Sequence, residues 1–343
     1  LWTMVPLLLV GVIAGNVRGI ALPTIITLLI PAERRDRANG LAGSATGISS
    51  LIVSAISGVL VGLAGMQWVL ILAMVMMMAT LIHLTTLQIP DTATPGVADA
   101  DDPPEGAATP EGPPATPLHG DLRETLAAIV AVPGLIALIL FTGLNNLLGG
   151  VFASLMDAYG LSLVSVETWG VLWAVISLGF IIGGLAVARW GLGANPLRTL
   201  FIANAGIWVV SALFTIQPSI LLLASGAFIY LGVVPLIEAA EHTIVQKVVP
   251  QERQGRVFGF AQSVELAAAP LTAFVVGPIT EAFFIPFMTT GAGADLIGGW
   301  FGTGPDRGMA LVFMVTGVIG LAMTLLAMRT RFYRLLSQRY QEE

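Results

Sequence analysis

Apolar residues run along this chain in nine long stretches, each broken by a short polar or charged segment. They cover residues 2–30, 41–63, 67–87, 133–159, 169–188, 200–216, 219–245, 258–284 and 309–327. A helix that crosses the hydrocarbon core of a bilayer needs roughly 20 apolar residues, so each stretch predicts one membrane-spanning helix. The pattern fails between residues 88 and 118, where Asp99, Asp101, Asp102 and Glu105 stand among prolines such as Pro113 and Pro114. Such a segment cannot bury enough apolar surface to fold and reads as a disordered linker. Residues 121–132 after it read as a short amphipathic helix at the membrane interface. Residues 285–306, rich in glycine and polar groups, read as a loop. The expected organisation is therefore an incomplete N-terminal bundle of three spans (1–87), an acidic, Pro-rich linker with an interfacial helix (88–134), and a six-span C-terminal bundle with a basic tail (135–343).

Composition turns this pattern into a class. Hydrophobic residues make up 56% of the chain and charged residues 10%, against roughly 25% charged in soluble domains, and the mean hydropathy is +0.88. A chain this apolar cannot cover itself with polar surface in water, so an all-α integral membrane protein is expected. The net charge of −6 is carried by loops, and no nucleic-acid partner is implied. Without cysteine there is no disulfide, thiolate metal site or thiol catalysis. The cluster Met74, Met76, Met77 and Met78 reads as flexible packing rather than a metal site. No span carries a Ser/His pair, a His-rich cluster or an Asp-rich face, so an enzyme is not expected. No Walker-type loop is present: 302–308 resembles a phosphate loop only faintly and follows no strand. An ATP-driven activity is therefore not expected; a membrane activity that needs energy would draw on a proton gradient, with no bound cofactor.

One charged segment occurs twice. Pro31, Glu33, Arg34, Arg37 and Gly40 return as Pro250, Glu252, Arg253, Arg256 and Gly259, all at the same offset along the chain. Each copy follows one apolar stretch and precedes another, which predicts two related halves. Twelve of the 15 Lys and Arg residues lie in the segments 32–37, 189–198 and 247–256 or in the tail: Arg34, Arg35, Arg37, Arg189, Arg198, Lys247, Arg253, Arg256, Arg329, Arg331, Arg334 and Arg339. Nine spans put these segments on one side, which the positive-inside rule makes cytoplasmic, with the C-terminus inside and only Arg307 in the opposite loops. The copies follow the first and seventh spans, whereas a symmetrical twelve-span protein has them after the fourth and tenth. Three spans are therefore expected to precede Leu1.

Polar residues inside the spans are the candidate chemistry, because an ionisable group at membrane depth must face protein or water. Arg18, Asn145, Asn146, Asp157, Glu238 and Glu265 are the candidates for substrate binding and coupling. Glu238 lies 12 residues before Pro250, roughly 18 Å along a helix, and is the best placed acid. Glu241 follows one turn nearer the cytoplasm beside His242, and this pair reads as interfacial and solvated.

The two Pro-x-Glu-Arg-x-x-Arg loops, the linker after the third span, and Gly184-Leu-Ala-Val-Ala-Arg189-Trp-Gly191 resemble the major facilitator superfamily. The last stretch resembles its Gly-x-x-x-Asp-Arg-x-Gly loop, with Ala188 in place of the acid. Within the superfamily the chain resembles bacterial drug and siderophore exporters of the macrolide-efflux and enterobactin-exporter type. Val53-Ser54 stands where antiporters of the family carry a Gly-Pro pair. The resemblance implies two six-helix bundles, of which this chain holds the fourth to twelfth helices, working by alternating access. It implies a monomer in the bacterial inner membrane that exports amphiphilic small molecules, with the lipid bilayer as its other partner. Glu33, Arg34, Arg37, Arg189, Glu252, Arg253 and Arg256 would then form a cytoplasmic gate. The alternatives are a lipid or lysolipid flippase of the same fold and a non-transporting membrane scaffold or remnant.

Overall fold

The computed structural model describes residues 19–86 and 118–342, so that Arg18 and the acidic linker up to residue 117 lie outside the described residues. Each of the nine apolar stretches carries a helix in its described part: α1 (Gly19–Leu29), α2 (Arg35–Ala64), α3 (Met66–Thr86), α5 (Leu135–Leu163), α6 (Val166–Trp190), α7 (Pro196–Leu213), α8 (Ile220–Val248), α9 (Gln251–Ile279) and α12 (Pro305–Arg329). A further helix, α4 (Leu118–Ala131), occupies the place of the expected interfacial helix. Among the described residues six helices are long and apolar enough to cross a membrane: α3, α5, α6, α7, α8 and α12. Residues 274–289 and 292–301 together are also apolar enough to cross, but they meet at 71°, the geometry of a broken span or a re-entrant loop.

That break corrects the expected loop at 285–306. A π-helical turn, Thr280–Phe284, continues α9 into α10 (Ile285–Thr289), and α11 (Ala292–Phe301) follows. Leu296, Ile297, Trp300 and Phe301 give α11 enough apolar side chains to form a helix despite Gly298 and Gly299. Gly302 (φ +94°) and Gly304 (φ +121°) then turn the chain into α12 through backbone conformations that other residues rarely adopt. Glycine content hid this helix in the sequence.

By its contacts the chain divides into residues 52–124 and a larger unit of residues 1–51 with 125–343. In the smaller unit Gly65 (φ +88°) turns the end of α2 into α3, whose run from Met66 to Leu81 carries no charged side chain. A helix apolar on every side suits lipid or other helices.

In the larger unit α8 lies between α6 and α7, α7 lies on α12, α12 on α5, and α5 on α9. Polar caps set where these helices start. The side chains of Ser165, Asn195 and Ser219 accept hydrogen bonds from Thr168 N, Arg198 N and Leu222 N, and Pro196 occupies a first-turn position with no amide to satisfy. Small residues set how closely the helices approach. A Cβ on Gly183 of α6 would fall on the Gly232 carbonyl of α8, and a Cβ on Gly184 would meet Ser44 of α2. Ser44 Oγ donates to Ile181 O across that second contact at 3.3 Å. Large aromatic rings fill the bundle interior: Phe152 stacks on Tyr230 at 4.4 Å, and Phe214 meets Phe313 edge-on at 5.2 Å.

Arg307, expected as a lone loop cation, is 1% exposed. Its Nε donates to Phe301 O at 2.6 Å, Nη1 to the Tyr159 hydroxyl at 2.9 Å, and Nη2 to Thr215 O at 2.8 Å and Ile216 O at 3.1 Å. The planar guanidinium thereby clasps the ends of α5, α7, α11 and α12, with its carbon 4.0 Å from the Phe301 ring centroid.

The basic tail is a helix, α13 (Arg331–Glu342). It docks through Leu336, 2% exposed, and through Ser337, whose Oγ accepts from Asn195 Nδ2 at 3.0 Å. Lys247 Nζ stands 4.2 Å from the Tyr340 ring centroid. Burial first, and then the Asp36 carboxylate, push the Tyr340 phenol above its ordinary value. A phenol with a higher value in the docked form stabilises docking fully below about pH 10 and loses that contribution as the pH rises past the docked value. Melting of the wild type is therefore expected to fall more steeply above pH 10 than melting of Tyr340→Phe, which keeps the ring over Lys247. Parallel profiles would show that the phenol titrates free of the fold.

Candidate functional site

The duplicated loops adopt the same local structure. Pro31 (φ −55°, ψ 146°) and Pro250 (φ −54°, ψ 139°) have matching backbones. Arg34 N donates to Pro31 O at 3.0 Å, and Arg253 N to Pro250 O at 2.9 Å. The next residue of each copy reaches back to two carbonyls at the end of the preceding helix. Arg35 donates to Ile30 O and Thr27 O, both at 3.1 Å. Gln254, its counterpart in the second copy, donates to Val249 O at 2.9 Å and Gln246 O at 3.0 Å, the equivalent positions. Proline removes a donor and stops the first helix, and a long side-chain donor satisfies the carbonyls left open.

From there the two copies are bonded to each other. Arg35 Nη1 donates to Gln246 O at 3.3 Å, and Gln246 Nε2 to Pro23 O at 2.8 Å. Asn39 Nδ2 donates to Gln246 Oε1 at 2.9 Å and to Thr243 Oγ1 at 3.1 Å. These bonds tie α1 and α2 to α8 at the basic end. Asp36 adds a third element: its Oδ2 accepts from Leu192 N at 3.1 Å in the turn after α6. There Gly191 has φ +73°, and a Cβ on it would come within 2.6 Å of the carboxylate. The loop with Ala188 in place of an acid thus receives a carboxylate from the other loop. Glu33, Arg34, Arg37, Arg189, Glu252, Arg253 and Arg256, the expected gate, have exposed side chains here. Arg35, Asp36, Asn39, Gln246 and Gln254 carry the bonds between helices. A signal for Arg35 and Gln254 was present in the sequence, since they fall at one position of the repeat.

Inside this end lie two cavities of about 300 and 310 Å³. The first is lined from both copies of the repeat: Gly19 and Glu238, Leu22 and Glu241, Pro23 and His242, Gly43 and Gln262, Thr46 and Glu265 are pairs at equivalent positions of the two copies. In every pair the polar or acidic group, or the more polar of the two, is on the C-terminal half. Asn145 and Asn146 line the second cavity. Asn145 Oδ1 accepts from Trp208 Nε1 at 2.9 Å, and Asn146 Nδ2 donates to Thr142 O of its own helix at 3.1 Å.

Glu238, Glu241 and Glu265 line both cavities. Glu241 and Glu265 interact with each other, and Thr142 lines the second cavity beside them. Among the described residues neither cavity is lined by Lys or Arg. Glu241 and His242, expected at a solvated interface, stand instead in the first cavity, because α8 runs on to Val248 and carries both a turn or more inside its end. Glu241 follows Glu238 by three residues, which puts both on one helix face; that spacing was the available signal. Asp157 is not part of the group. Its Oδ1 accepts from Trp169 Nε1 at 3.0 Å and Trp173 Nε1 at 2.8 Å, which fastens α5 to α6. Arg18 lies outside the described residues.

Helices from two sequence-related halves around a polar cavity at membrane depth form the architecture of a secondary transporter. The family model of the Major Facilitator Superfamily matches residues 1–273. The chain belongs to that superfamily: it is a multi-pass membrane protein and a secondary transporter. No curated protein matches the chain.

Proposed function

We propose that the protein is a proton-coupled exporter of amphiphilic small molecules, working by alternating access as a monomer in the bacterial inner membrane. The observation that carries this reading is the meeting of Glu238, Glu241 and Glu265 at the junction of the two cavities. Two interacting carboxyl groups that share one cavity wall can hold one proton between them. A substrate that displaces this proton on one side, and is displaced by it on the other, exchanges against protons. Apolar wall residues such as Leu22, Ile26 and Phe152 beside these acids suit an amphiphile. The bonds from Arg35, Asn39 and Asp36 then serve as the seal of the basic end, and the positive-inside rule supports reading that end as cytoplasmic. Hydrogen bonds of roughly 1 kcal/mol each can be made and broken between two states of similar energy.

Reconstitution tests the reading. With a pH gradient imposed on proteoliposomes, an amphiphilic fluorescent dye is expected to move uphill, and adding dye without a gradient is expected to drive proton movement. Dye movement with no proton flux in either direction would overturn the coupling. Transport of a fluorescent lysolipid with no transport of soluble dyes would replace this function with a flippase.

A further inference from the structure

A third cavity lies at the basic end and is separate from the acidic site. It measures about 280 Å³ and is framed by α5, α7, α12 and α13. Its walls are almost entirely carbon: Leu144, Phe201, Phe332, Tyr333 and Leu336 among them. The Phe201 and Tyr333 rings close it edge-to-face at 5.3 Å, and Leu336 forms a buried floor. On its outer side Leu140 and Leu144 are 53% and 50% exposed. Exposed leucines on the flank of a membrane-crossing helix face lipid, so the groove opens toward the bilayer. Its depth fits one leaflet. From the start of α5 at Leu135 to Leu144 is roughly 14 Å along the helix, about half of a hydrocarbon core of roughly 30 Å.

Arginines neighbour wall residues of the groove along the chain: Arg329 and Arg331 flank Thr330, and Arg334 follows Tyr333. Arg329, Arg331 and Arg334 are exposed where α12 passes into α13. The Arg331 guanidinium carbon stands 5.2 Å from the ring centroid of Phe332, itself a wall of the groove. An apolar slot the depth of one leaflet, with exposed arginines next to its wall residues, matches one ligand chemistry: an acyl chain joined to an anionic headgroup. We propose that this groove binds an anionic phospholipid of the adjoining leaflet, one acyl chain lying between α5 and α13 and the phosphate held by Arg331 with Arg329 and Arg334. Three cationic side chains favour a headgroup of net negative charge over a zwitterionic one, whose quaternary ammonium they repel. The bound lipid joins α13 to the bundle and does not depend on the direction of transport or on its coupling.

Native mass spectrometry of the detergent-purified protein, titrated with dioleoylphosphatidylglycerol or dioleoylphosphatidylcholine, tests this. The wild type is expected to retain a single phosphatidylglycerol adduct in about tenfold or greater preference over phosphatidylcholine. The combined variant Arg329→Gln, Arg331→Gln, Arg334→Gln changes only exposed side chains and is expected to lose the preference. Ala137→Trp, which fills the groove, is expected to lose the adduct while the arginines remain. Equal retention of the two lipids by the wild type would mean an unspecific lipid belt and overturn the proposal. So would a phosphatidylglycerol adduct that survives either variant at the wild-type level.

Discussion

Glu265→Gln is expected to reduce uphill dye transport in proteoliposomes to the level of empty liposomes, while the protein still inserts and melts as the wild type does. Glutamine keeps the size and hydrogen-bonding capacity of the side chain next to Glu241 and Thr142, so packing is retained. What disappears is a second carboxyl to share the proton. Glu241→Gln is expected to give the same loss, and the double variant to be no worse than either single one, because in the proposed mechanism the two groups act as one proton-holding unit. Thr142→Val removes only a hydroxyl contact and is expected to slow transport without uncoupling it. Glu238 lines the same junction beside this pair. Glu238→Gln is expected to weaken the apparent affinity for cationic dyes and leave coupling in place. Full uphill transport by Glu265→Gln, with dye-driven proton flux intact, would remove the carboxyl pair from the mechanism.

The largest loss of stability is expected from Arg307→Leu, far from that site. The guanidinium satisfies three backbone carbonyls and the Tyr159 hydroxyl in a position 1% exposed. Leucine fills part of the space and bonds none of them. A buried acceptor left without a donor costs about 1–3 kcal/mol, so several kcal/mol are at stake for four groups. A fall of the melting temperature in detergent by about 10 °C is expected. Arg307→Lys should recover only part of it, since an ammonium on a flexible stem cannot reach acceptors spread along both edges of a planar fork. A melting temperature for Arg307→Leu within about 2 °C of the wild type would show that the clasp adds little to the fold.

These two residues mark where the sequence could be read and where it could not. The all-helical membrane fold follows from hydropathy alone, because the bilayer admits few ways to satisfy a spanning backbone. The duplication, with Pro31 returning as Pro250 and Gly40 as Gly259, was equally plain. Its structural meaning extends to bonds: the carbonyls capped by Arg35 and by Gln254 are equivalent. Arg307 looked like a solitary charge in a loop. Only the ends of four helices coming together made it a buried clasp.

Within the site the division is similar. Glu238, Glu265, Asn145 and Asn146 stood out because polar groups inside apolar stretches are costly and must find partners. Asp157 stood out for the same reason, yet its partners are two indoles on the neighbouring helix. A single chain of letters does not say which face of a helix meets which neighbour. Glu241 lay near the end of an apolar stretch and read as solvated, and α11 was hidden by its glycines. The helical, membrane-spanning character of the chain and the duplication of its charged loop were thus legible in the sequence, because each depends on local composition. Which carboxyls meet, which arginine is buried and which carboxylate caps the turn after α6 were decided only by the tertiary structure, because each depends on close approach between helices distant along the chain.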